Sequence, residues 1–214
     1  MSRRQWTGLA GLLFGATMIT GIFVAGSTPD TDRKNPADLF AAYWNNSSHQ
    51  DHAAISAVVL SFTAVLLISF AIGMAGLLRQ RDDGPLPTLV AAGGATAAAL
   101  LAAGSAVLNG VGVAAMDSHY QPDGNTAILF ENTGYLIAAV GMMSAAAMAV
   151  AWSLSNRRAR LIPQWTLVAT VLVAIAGLGS FFTAWFLFML MPAWSAIVGI
   201  CLLTLRDSEP ASAA

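Results

Sequence analysis

The sequence predicts an all-α membrane protein: a single bundle of six transmembrane helices, with a short interfacial helix in the first external loop. Three observations lead there. Of 214 residues, 57% are hydrophobic and only 10% charged, against roughly 25% charged in a soluble domain. The apolar residues fall into tracts near the roughly 20 residues that a spanning helix needs. The basic residues gather on one side of the topology those tracts imply. With a mean hydropathy of +0.66, most of the chain has no water to face.

Six stretches qualify: 7–26, 53–78, 88–116, 132–154, 164–182 and 185–205. Together they make one domain over 1–206, followed by a short disordered cytoplasmic tail, 207–214. The last apolar tract is too long for one helix, so it divides at a tight turn near 181–185. Pro192 then kinks the sixth helix, which a bundle tolerates when neighbours satisfy the freed carbonyl. Arg3, Arg4, Arg79, Arg81, Arg157, Arg158, Arg160 and Arg206 make up eight of the ten basic residues, and six helices put all eight on one side. By the positive-inside rule that side is the cytoplasm, and both termini lie in it. Ser2, Arg3 and Arg4 look faintly like a twin-arginine signal. The apolar run behind them is longer than a signal's roughly 7–15 residues, so it reads as an uncleaved first helix. Arginine dominance over lysine, with abundant Ala and Gly, fits a bacterial plasma membrane protein.

The longest polar stretch is 27–52. Within it Asn35 is placed to cap a helix, Pro36 to open it and Asp38 to favour its first turn. Leu39, Phe40, Tyr43 and Trp44 then form one apolar face, as expected of a short helix at the outer interface. A faint echo links 35–40 to 125–130, where four of six residues agree.

Chemistry has few places to reside. The single cysteine, Cys201, permits no intramolecular disulfide and no thiolate metal site. A net charge of −1 without a basic stripe gives no case for nucleic acid. No cofactor motif is present. The expected helix interiors carry no charge, which argues against a proton or ion path through the bilayer and hence against a transporter subunit. All three histidines fall on the external side. His49 and His52 share a helical face, and with His119 they make a weak candidate metal set. The plainer reading is a solvated polar rim.

Glu131 is the leading candidate acid, with His119, His52 and Asp51 as possible catalytic partners. It follows four apolar residues at the expected mouth of the fourth helix. Two readings stay open: a carboxyl in a low-dielectric pocket, suited to acid catalysis, or a water-exposed carboxylate favoured by the helix dipole. Asn109, deep in the third helix, needs a partner on another helix or on a ligand. Asn109, Tyr135 and Trp185 are the candidate ligand contacts. Gly11, Gly15, Gly93, Gly94, Gly104, Ser105, Gly110 and Gly112 form small-residue faces, suited to close packing or to a homo-oligomer. The aromatic set from Phe181 to Phe188 forms an outer belt or one wall of a pocket.

Leu77, Leu78 and Arg79 end the second helix; 37–43 is a short helix leading into it; Leu161, Ile162, Pro163, Gln164 and Trp165 open the last hairpin. In this layout the chain resembles the uncharacterised six-helix integral membrane proteins of actinobacteria, of the DUF4386-like kind. The resemblance implies a fold and a membrane location, and no activity. Function then lies between two expectations. One is a non-catalytic bundle binding an apolar small ligand, lipid or partner at its outer face. The other is a small membrane-embedded cyclase, isomerase or hydrolase using Glu131 and a histidine.

Overall fold

The computed structural model describes residues 1–117, 119–178 and 180–204, without the side chains of 178–185. The described residues form seven helices and no strand: α1 (Arg3–Ala25), α2 (Pro36–Trp44), α3 (Ser47–Leu78), α4 (Leu86–Ala114), α5 (Gly124–Ala159), α6 (Thr166–Leu178) and α7 (Ser180–Thr204). Five helices are long and apolar enough to cross a membrane: α1, α3, α4, α5 and α7 through its stretch Phe186–Thr204. The short apolar helix α6 has 13 residues, about 20 Å at 1.5 Å per residue, less than the ~30 Å hydrocarbon core.

Local chemistry moves several boundaries from their expected places. Ser2 caps α1 and makes a reciprocal capping box with Gln5. Gly26 ends that helix at φ 72°, a backbone that favours glycine. Asn46 accepts from the Ser48 amide, so α3 begins at Ser47, ahead of its apolar run at 53. Asp123 accepts from the Thr126 amide and hydroxyl, and α5 begins at Gly124, eight residues before the expected 132. Its 36 residues measure about 54 Å, well beyond the hydrocarbon core. The turn expected near 181–185 lies elsewhere, because those residues are helical within α7. The tail 207–214 falls outside the described residues.

The long helices form a closed ring. α1 packs on α3 and α7, α4 joins α3 to α5, and α5 reaches α7 directly and through α6. Small residues make this possible. A Cβ placed on Gly104 would lie 2.8 Å from the Gly134 carbonyl oxygen, and one on Gly134 would lie 2.7 Å from the Leu108 nitrogen. Gly8 and Gly199 bring α1 and α7 together in the same way. The start of α1 therefore lies beside the end of α7. The glycine faces that hinted at a second copy are largely occupied within the chain: Gly11 by Phe70, Gly15 by Pro192, Gly94 by Ala71 and Gly112 by Trp44.

Phe14, Phe70, Trp152 and Trp194 are almost wholly buried and fill the middle and the arginine-rich end of the ring. At that end side chains tie the loops down. Asn156 accepts from the Leu161 and Ile162 amides and donates to the Ile162 carbonyl, closing α5 at Arg160, which is left-handed at φ 49°. Arg81 donates to the Ala159 carbonyl at 2.9 Å. The Trp194 indole N–H donates to the Thr170 hydroxyl, itself 2.6 Å from Ser153, joining α5, α6 and α7. Asp82, nearly buried between α3 and α4, accepts from the Ser155 hydroxyl and the Gly84 amide. Those bonds, the Ser155 hydroxyl first, then the Gly84 amide and the Arg158 charge, hold its carboxyl below the usual range.

Two predictions follow from this packing. Gly134→Leu forces α4 from α5 against backbone atoms, and should cost about 1–3 kcal/mol, read as a lower melting temperature in detergent micelles. Asp82→Asn should also lower it at neutral pH. The depressed Asp82 pKa means its stabilisation is complete above the unfolded value of about 3.9 and is lost as pH falls through the lower folded value. The variant should therefore lose part of the wild-type acid limb.

Candidate functional site

At the end of the ring opposite the arginine-rich loops, no large side chain among the described residues fills the centre. A cavity of about 340 Å³ remains there, walled by α1, α3, α4, α5 and α7. Its apolar walls include Met18, Ile22, Leu60, Leu101, Ala138 and Phe188, and its polar groups are Ser27, Thr28, Thr63, Ser105, Asn109, Glu131 and Tyr135. The backbone at Gly26 and Trp44 complete the lining. No lysine, arginine or histidine is among the described lining residues.

The short helix α2 shapes one side. Asn35 precedes it in a left-handed conformation, φ 57°, and makes no side-chain cap bond, so Pro36 does most of the local work. Phe40 and Trp44 are buried with Ala53, Val111 and Ala127, whereas Leu39 is exposed. The helix is thus a plug packed on the bundle, with half of its expected apolar face turned inward. Gly124, at the start of α5, sits directly against the Ala37 backbone, which brings the two echoed segments together.

Glu131 lies in the second turn of α5, since the helix starts early, and so is not an N-terminal carboxylate. It is half-buried. One carboxyl oxygen accepts from the Thr28 hydroxyl. The other is buried and has no hydrogen-bond partner. Tyr43 of α2 feels this group: burial first, and the Glu131 charge second, push its phenol upward. Tyr43 also stacks on His49 with ring centroids 3.8 Å apart, and the His49 Nδ1 lies 2.9 Å from the Tyr43 carbonyl oxygen.

The other candidates are dispersed. His49 is committed to Tyr43, His52 and Asp51 are exposed, and His119 pairs with Asp117 in water at 3.1 Å. The three histidines are not brought together, and no three His, Cys, Asp or Glu among the described residues are placed to hold a metal ion. Asn109 does reach the cavity wall. Its amide donates to the Ser105 carbonyl at 2.9 Å, one turn back on α4, where an interhelical bond was expected. Tyr135 lines the cavity and packs near Phe188, with ring centroids 5.9 Å apart. The Trp185 side chain lies outside the described residues. Phe186 faces outward and Phe188 inward, so the expected aromatic belt is divided between lipid and cavity.

Sequence reasoning missed Thr28 and Thr63 as site residues, whereas Phe188 belongs to the aromatic set read as a belt or a pocket wall. Thr28 and Glu131 are 103 residues apart, and no spacing rule joins them. A second, open groove of about 300 Å³ runs along the outside of α1 and α3 past Trp6 and Leu13. Its apolar walls lie on the face that lipid would cover.

No family model, no curated protein and no solved structure matches this chain. The likeness to DUF4386-like membrane proteins therefore stays one of pattern, and any reading of the cavity starts from its own residues.

Proposed function

We propose that this chain is a six-span protein of the bacterial plasma membrane that binds a small, mostly apolar ligand in an outward-opening cavity. The observation that carries the reading is the unpaired Glu131 oxygen beside an apolar cavity. A buried carboxyl group without a partner costs free energy, and a ligand that supplies a donor removes that cost. Cavities of this size, apolar with a few convergent polar groups, are the usual form of a small-molecule site.

Six spans rest on parity. α6 leaves the arginine-rich end where α5 stops, and a full crossing by it lets α7 return the chain to that end beside the start of α1. The basic residues at that end favour the cytoplasm. The enzyme reading is weaker, because no described histidine lines the cavity beside Glu131.

Reporters fused ahead of Met1 and after Ala214 should both read cytoplasmic, and a periplasmic signal from either would overturn the topology. For the ligand site, 1-adamantanol is a compact neutral probe. It should raise the wild-type melting temperature saturably in maltoside micelles. Ala25→Phe or Ile22→Trp, which fill the cavity from α1, should abolish the shift. A wild-type curve unmoved by 1-adamantanol and by its amine and carboxylate analogues sinks the reading.

A further inference from the structure

We infer that the cavity selects a cationic ligand: an ammonium group carried on a compact apolar body. The inference rests on the cavity being a binding site, as proposed above, and names the chemistry of its occupant. Three features of the wall point the same way.

The first is the state of the Glu131 carboxyl group. Thr28 satisfies one oxygen and leaves the other bare and buried. A ligand that meets it must donate a hydrogen bond. Ionised donors make the stronger bonds to carboxylates, and only a cation also stabilises the ionised form of the buried group.

The second is the missing counter-ion. No lysine, arginine or histidine stands among the described lining residues. The titratable group facing Glu131 from α2 is Tyr43, a neutral phenol near pH 7 that burial first, and the Glu131 charge second, make more reluctant to ionise. Among the described lining residues the site has a place for one negative charge and supplies no positive one.

The third is aromatic. Trp44 from α2, Tyr135 from α5 and Phe188 from α7 line the same cavity as the carboxylate. Aromatic faces attract ammonium groups through their quadrupole, and several of them around one cavity are a common recognition chemistry for alkylated amines. A neutral alcohol gains little from these rings, and an anion is repelled by both features. The Asn109 amide N–H is already engaged with Ser105 within α4, so it adds little discrimination. At the ~30 Å³ that one water occupies, a volume of about 340 Å³ has room for an apolar body of on the order of ten heavy atoms.

An ammonium group is also found on lipids, so the source of the ligand is a separate matter that the test resolves. Wild-type protein in maltoside micelles is titrated with 1-adamantanamine, 1-adamantanol and 1-adamantanecarboxylate, reading the melting temperature. The amine should half-saturate at a concentration at least about tenfold below the alcohol, the order expected for one charge-assisted bond in place of a neutral one, and the carboxylate should be weakest. Glu131→Gln should bring amine and alcohol to parity. Should that variant fold poorly, Tyr135→Leu, at a part-exposed position, should also narrow the gap. Equal binding of amine and alcohol overturns the inference and leaves the ligand site standing. A preference for the carboxylate, or an amine preference that survives Glu131→Gln, overturns it as well. Binding of none of the three removes both the inference and the site. Competition by added phosphatidylethanolamine but not phosphatidylglycerol assigns the ammonium to a lipid headgroup; competition by neither, with the amine preference intact, assigns it to a free amine.

Discussion

The rest of the structure depends on how closely α4 and α5 approach. In a bilayer there is no hydrophobic force between apolar helices, so they associate through contact and hydrogen bonds. At Gly104 and Gly134 the two backbones meet so nearly that neither position has room for a methyl group. That contact places α5, the longest helix, where it serves as the common wall for α2, α4, α6 and α7. Gly94 against Ala71 brings in α3, and Gly11 against Phe70 brings in α1. The ring of helices is thus set by where side chains are absent.

The two ends of the ring are held differently. At the arginine-rich end, Asn156, Asp82 and Arg81 bind loop backbone or neighbouring hydroxyls, and large aromatic residues fill the centre. At the other end the fastening is lighter. The α2 plug and the bond from Thr28 to Glu131 tie the first loop to α5. The cavity lies beneath that lighter closure, and its carboxyl group serves both as part of the fastening and as a buried acceptor still open to a donor.

Much of the fold was legible because hydropathy and charge speak directly about the bilayer. The apolar tracts marked α1, α3, α4 and α5, and Pro36 marked α2. The ends of α3 and α5 were not legible, since Asn46 and Asp123 extend both helices through polar residues that a hydropathy window reads as loop. That error also misplaced Glu131 at a helix mouth, although the apolar residues before it did point to a sheltered carboxyl. Asn109 and Tyr135 were named as candidate ligand contacts, Asn109 because a deep amide needs a partner, and both line the cavity. The histidines misled, because nearness to one another along the chain says little about which way each one faces. Thr28 carried no signal at all, being an ordinary loop threonine until the fold brings α5 to it.

The contact of Gly8 with Gly199 links the first helix to the seventh. In synthesis these two segments emerge furthest apart, so α1 enters the bilayer long before its partner exists. Until then its glycine face meets lipid or a transient substitute, and the ring stands open between α1 and α5. The ring is therefore closed only when α7 inserts, and a ribosome that stops short of α7 leaves an open arc with no enclosed interior. The enclosed interior thus appears late, with a helix whose docking on α1 requires the preceding helices to be in place.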